Sequence, residues 1–222
     1  MIIQGILMIN KIKRNYQNDY PSVTTVLGVL RKIGLEMWFK FHTAQFCDAA
    51  SNKGKLIGTQ IHEAIENYIL KNEVKVDTAY PEEVTNALKS FMLFRKEHPE
   101  IELEWSEIML TSELHKFNGT MDCRAKRLGK KLTLDWKSGE CKKKDKPDIY
   151  DEYKYQTSAY ATADNEINNS GIEGALIVSF AKDKVAYNIY EMGKEEIADC
   201  FEIFLSCLKI YNYQKREKNY GL

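Results

Sequence analysis

Three polar residues in the middle of the chain have the types and spacing that phosphodiester chemistry uses: Asp122, Asp135 and Lys137. They lie in the stretch GTMDCRAKRLGKKLTLDWKSGE, residues 119–140. Leu128-Gly129 reads as a two-residue turn, because glycine supplies the positive φ that tight hairpins need. Pairing about that turn sets Arg127 against Lys130, and counting outward sets Asp122 against Asp135. Lys137, two residues on, projects from the face of Asp135. Opposed carboxylates repel at that separation. A hard divalent cation, Mg²⁺ or Mn²⁺, removes the conflict. A lysine beside it would orient or help deprotonate a water, or neutralise charge developing on phosphate. The alternative is an exposed hairpin face carrying a surface Asp–Lys pair of little energetic value.

By itself D-x-K says little. The E/D-x-K spacing recurs at Glu73–Lys75, Glu140–Lys142 and Glu152–Lys154, all read as solvated charges. Asp135–Lys137 differs in ending an apolar strand and in having a matched Asp122 across the hairpin.

The elements that must position these residues follow from periodicity. Residues 23–33, 35–49 and 57–71 carry apolar side chains at helical spacing, with Ile57, Ile61, Ile65 and Ile69 on one stripe. Pro81-Glu82-Glu83 opens a helix that Pro99 stops after His98. Residues 102–112 and 117–127 are strand-like, and 131–137 alternate with a period of two. A helix over 150–166, strands over 174–181 and 184–190, and a helix over 193–213 complete the chain. The expectation is an α/β (α+β) fold, a mixed central β-sheet flanked by helices, in a single domain over 1–222 with a short N-terminal arm, about 1–20.

Against these elements, the motifs resemble a known family. GTMD followed by LDWKSG looks like the second and third motifs of the PD-(D/E)XK nuclease superfamily. The version is similar to the RecB-like exonuclease branch, which includes the mitochondrial genome maintenance exonuclease and phage-type exonucleases. Gly58 to Glu66 resembles the family's G-x-x-x-H-x-x-I/L-E helix, and Gln156 with Tyr160 its Q-x-x-x-Y motif. Pro21-Ser22-Val23-Thr24 resembles the P-S-V-T opening of phage-type members.

The resemblance spans about residues 21–190 in the expected order. It implies a restriction-endonuclease-like core and metal-dependent hydrolysis of DNA, most often by an exonuclease at single-stranded ends. A structure-selective or restriction-type endonuclease, and a non-catalytic nucleic-acid-binding or phage protein on the same scaffold, are the alternatives. Asp122, Asp135, His62 and the carbonyl of Trp136 would be the ligands of Mg²⁺ or Mn²⁺, and Lys137 the catalytic ammonium. Gln156 and Tyr160 would steady the site or touch the DNA backbone.

Other residues keep two readings each. Glu66 is a partner behind the ligands or a solvated acid, and Glu107 faces the metal or the solvent. Tyr153, Tyr155 and Tyr160 stack on bases or pack on the sheet. Lys142, Lys143 and Lys144 grip phosphate or form a solvated loop. The spacing of Cys200 and Cys207 departs from that of iron–sulfur relatives, so no iron–sulfur cluster is expected. The chain has no P-loop, so a helicase or recombination partner would be a separate chain.

Composition sets outer bounds. The 32 basic and 32 acidic residues cancel, so any nucleic-acid contact must be local. Five scattered cysteines without a C-x-x-C pair suit a reducing compartment and no disulfide framework. The apolar start MIIQGILMIN places its charges, Lys11, Lys13 and Arg14, after the run. That is the wrong order for a signal peptide, and the run is too short to span a membrane, so a cytoplasmic location is expected.

Overall fold

A computed structural model of the chain describes residues 19–71, 79–141 and 145–219. The run Lys142-Lys143-Lys144, Glu73–Lys75 and most of the expected N-terminal arm lie outside them.

The elements run α1 (Val23–Leu27), α2 (Ile33–Phe41), α3 (Ala44–Lys71), α4 (Glu82–Glu97), β1 (Ile101–Ser112), β2 (Phe117–Arg127), β3 (Lys130–Gly139), α5 (Asp151–Asn168), β4 (Ile172–Ala181), β5 (Tyr187–Gly193) and α6 (Lys194–Asn219). The strands form one mixed sheet in chain order. β3 and β4 are parallel, joined through α5, and the other neighbours are antiparallel. The expected mixed sheet with helices against it is what the chain adopts.

Both faces of the sheet are covered. Ile57, Ile61 and Ile65 of α3 and Leu88, Phe91 and Phe94 of α4 pack on Cys123, Leu134, Trp136, Val178 and Phe180. On the other face α1, α5 and α6 bring Val26, Tyr160 and Phe204 against Leu110, Phe117 and Met121. Covering on both sides explains why Leu132 to Trp136 are buried without a break, as expected of a central strand with a parallel neighbour.

Two sequence expectations shift. The helices expected over 35–49 and 57–71 divide elsewhere: the first breaks after Phe41, and residues 44–71 are one continuous helix. The polar stretch that reads as a gap is a solvent-facing part of α3, and a side chain at Gly54 or Gly58 would meet nothing. The hairpin turn forms as read, with Leu128 and Gly129 both at positive φ and Arg127 opposite Lys130. The β2–β3 ladder, however, ends at Cys123↔Leu134, one step short of Asp122 and Asp135.

Among the described residues, no helix is long and apolar enough to cross a membrane. All five cysteines are buried, and none is in a disulfide.

Candidate active site

The break in the hairpin is where the acidic residues collect. Met121 packs on the α5 side of the sheet and Cys123 on the α3 side. Two residues of a regular strand at that spacing share a face, so the alternation of β2 slips at Asp122. Asp122 is missing from the ladders to both neighbours. Its carboxylate replaces the lost backbone bond by accepting the Trp136 amide at 2.8 Å, and Ser106 Oγ donates to its carbonyl at 3.0 Å.

On the next strand Glu107 has φ 53°, a left-handed conformation that costs energy in a residue with a side chain. It brings the Glu107 carboxylate to 3.8 Å from His62 Nδ1, while Asp122 Oδ1 lies 3.6 Å from the same nitrogen. These are ion-pair separations, too long for hydrogen bonds. His62, Glu107 and Asp122 each offer one donor atom, and all three atoms lie within 4.8 Å of one another. One nitrogen and two carboxylate oxygens at that spacing suit Mn²⁺ or Mg²⁺. The His62 side chain is 32% exposed, at the edge of the buried Ile57–Ile61–Ile65 stripe. Burial presses its pKa down, yet Asp122 and Glu107 outweigh that and raise it above the ordinary histidine value.

Asp135 is fully buried on β3. Its Oδ2 meets Lys137 Nζ at 2.6 Å, and its Oδ1 receives no hydrogen bond among the described residues. Burial and the Asp122 charge push its pKa up, against the pull of Lys137. Burial would favour neutral Lys137, but Asp135 and Asp122 reverse this and hold the ammonium protonated. The ring of Tyr153, from the first turn of α5, lies 5.1 Å from Lys137 Nζ, a cation–π distance.

The sequence-derived set therefore divides. Asp122, Asp135, Lys137 and His62 come together, and Glu107 turns its carboxylate toward His62 and Asp122. Asp135 lies outside the three-donor group, turned to Lys137, and the Trp136 side chain is core. Gln156 donates to the Tyr160 hydroxyl at 2.9 Å. The Tyr160 ring is 4% exposed and lies against Gly119, where an added Cβ would come within 2.6 Å of it. That burial corrects the expectation that Tyr160 stacks on bases: its ring braces β2 three residues before Asp122. Tyr155 is half-buried in the packing of α5 on α6. Ser22 of the P-S-V-T stretch caps α1, its Oγ accepting the Thr25 amide at 3.1 Å.

No family model matches the sequence, and no curated protein does. Among solved structures, the chain is similar to a protein provisionally named an exonuclease from Eubacterium rectale. The identity is 13% over 72% of this chain and 67% of that one, with a TM-score of 0.49. It is also similar to an alkaline exonuclease from Laribacter hongkongensis, at 12% identity over 91% and 95% of the two chains and a TM-score of 0.40. Overlays this loose leave the functional reading to the chain's own side chains.

Proposed function

We propose that this chain is a single nuclease domain of the PD-(D/E)XK type, hydrolysing phosphodiester bonds of DNA with Mg²⁺ or Mn²⁺ from free, preferably single-stranded, ends. The observation that carries the reading is the convergence of His62, Glu107 and Asp122 donor atoms within 4.8 Å, beside a buried Asp135–Lys137 pair.

The two carboxylates that face one another, Glu107 and Asp122, repel a phosphate, and a cation between them makes the site hospitable to a polyanion. His62, Glu107 and Asp122 would hold that ion, with Asp135 and the Trp136 carbonyl as the candidates to complete its shell. Such a cation supplies positive charge against the phosphate and makes a nearby water more acidic. Lys137 keeps its proton between Asp135 and Asp122 and stabilises the negative charge that builds on the phosphate oxygens. Asp135 and the Tyr153 ring fix the position of that ammonium. Gln156 and Tyr160 act one layer further out, by holding β2 in place.

A nuclease assay on end-labelled linear and circular single-stranded DNA tests the reading. Linear strands are expected to shorten with Mn²⁺, to survive in chelator, and circles to stay whole. Cleaved circles would make the enzyme an endonuclease, and intact linear strands with Mn²⁺ would remove the hydrolytic reading.

A further inference from the structure

Tyr150 occupies the N-cap of α5, with an extended backbone at φ −96° and ψ 150°, and its side chain makes no capping hydrogen bond. The position favours Ser, Thr, Asp or Asn, whose side-chain oxygens accept the open amides of the first turn. A tyrosine forgoes that bond, and burial does not offset the loss, because Tyr150 is 50% exposed. Farther along the same helix Tyr153 and Tyr155 are half-buried and Tyr160 is buried.

The exposed ring stands in line with the ammonium of the site. Tyr150 and Tyr153 meet edge to face, their centroids 5.4 Å apart at an interplanar angle of 80°. The Tyr153 ring in turn lies 5.1 Å from Lys137 Nζ. At a rise of ~3.4 Å per stacked nucleotide, two such steps take in no more than about three bases beside a phosphate held at Lys137.

The backbone that carries the ring is anchored. Pro147 packs on the end of β3, where a Cβ added to Gly139 would come within 3.3 Å of it. The Pro147 carbonyl accepts a hydrogen bond from Asn188 Nδ2 of β5 at 3.1 Å. The two acids after the ring are each paired with a lysine, Asp151 with Lys154 at 3.0 Å and Glu152 with Lys32 at 2.9 Å. Asp145 and Asp148 line the groove against β5, with Asn188 and Tyr190.

We propose that the Tyr150 ring stacks on a base of the DNA strand next to the scissile phosphate. The inference rests on the nuclease reading, since it is the substrate of that site that would bring a base here. An exposed ring takes any base, because every base has a π-face. Held on an anchored turn, it fixes the strand without taking part in hydrolysis, so its effect belongs in KM and not in kcat.

Steady-state cleavage of end-labelled (dT)20 with Mn²⁺ tests this in wild type, Tyr150→Ser, Tyr150→Phe and Tyr150→Trp. Tyr150→Ser is expected to raise KM about five-fold or more, from the loss of stacking, with kcat unchanged. Its melting temperature should equal or exceed that of wild type, because serine can cap α5. The Phe and Trp variants should keep the wild-type KM, since the ring and not the hydroxyl makes the contact. On a strand whose thymines are replaced by abasic sugars, wild type and Tyr150→Ser should share one KM. In chelator, (dT)20 should quench the fluorescence of Tyr150→Trp by more than it quenches wild type.

An unchanged KM in Tyr150→Ser, with wild type cutting (dT)20, overturns the contact and leaves the nuclease reading standing. A fall in kcat or in melting temperature would make Tyr150 a brace for Tyr153 and Lys137, which also overturns it. So does a KM difference that persists on the abasic strand, or a Tyr150→Phe protein that matches Tyr150→Ser. No cleavage by wild type removes the nuclease reading, and the chelator measurement then decides the ring alone. Extra quenching in Tyr150→Trp keeps it as a single-strand contact, and equal quenching removes it.

Discussion

Two buried ion pairs lie on the strands facing α5, and they differ in how completely they are satisfied. In the first, Arg124 Nε donates to Asp164 at 2.9 Å and its terminal nitrogen to the other carboxylate oxygen. Asn168 adds a third donor at 2.7 Å. Asp164 is fully buried with both oxygens engaged, so the pair ties α5 to β2 and does nothing else. In the second, Asp135 is just as buried but has an oxygen that receives no hydrogen bond among the described residues, and Asp122 adds negative charge nearby. The first is a closed joint. The second is an incomplete one, and incomplete polar clusters mark the places where a fold has kept room for a ligand.

The largest contrast should come from removing each cluster in turn. Asp122→Ala, Asp135→Ala and Lys137→Ala are each expected to lower DNA cleavage by about a hundred-fold or more while the far-UV spectrum stays native. Asp164→Ala, by leaving Arg124 uncompensated in the interior, should instead cost about 3–5 kcal/mol of stability in denaturant unfolding. Wild-type activity in any of the first three would remove that residue from the mechanism, and an Asp164→Ala protein of unchanged stability would erase the contrast.

A smaller effect is expected at His62. His62→Ala should weaken Mn²⁺ binding by about ten-fold, with activity partly restored at high Mn²⁺. As a ligand the ring must be neutral, and its pKa in the metal-free protein is raised. Proton competition should therefore begin above the ordinary histidine value of ~6.5, so that Mn²⁺ affinity falls as pH drops through that higher range and is flat in the variant. Calorimetric titration from pH 8.5 to 5.5 checks it, and the same pH dependence in the variant would place the titration elsewhere.

The smallest effect has an unusual sign. The folded-state pKa of Asp135 is raised above its unfolded value, so the folded protein binds that proton more tightly and loses stability as pH rises between the two. Asp135→Asn should thus raise metal-free stability by about 1 kcal/mol at pH 8, roughly 2–4 °C in melting temperature. The gain should vanish towards pH 4, where the native carboxyl is neutral. A lower melting temperature at pH 8 would mean that the Lys137 attraction outweighs burial and repulsion.

How much of this was legible in the sequence depends on what each residue's position obeys. The turn at Leu128-Gly129, the strand period around Asp135 and the isoleucine stripe beneath His62 follow local rules, and all three formed as read. The slip of alternation at Asp122 and the left-handed φ of Glu107 follow no local rule. Both occur side by side where β1 and β2 meet α3, and regular pairing across the hairpin would have set Asp122 against Asp135 instead of beside His62. Tyrosine roles were ambiguous for a related reason. Tyr153, Tyr155 and Tyr160 share a helix, yet one meets Lys137, one packs toward α6 and one is sealed against Gly119. Only the neighbours of α5 decide which is which. The continuity of α3 was hidden because its first half faces solvent and has no apolar stripe to report it.

The central claim is that His62, Glu107 and Asp122 hold one divalent cation, and anomalous diffraction from a crystal soaked in Mn²⁺ tests it most directly. The expected result is a single strong peak within coordination distance of His62 Nδ1, a Glu107 oxygen and an Asp122 oxygen. A peak ligated by other residues, or His62 turned away among the isoleucines with no peak beside it, would contradict the account.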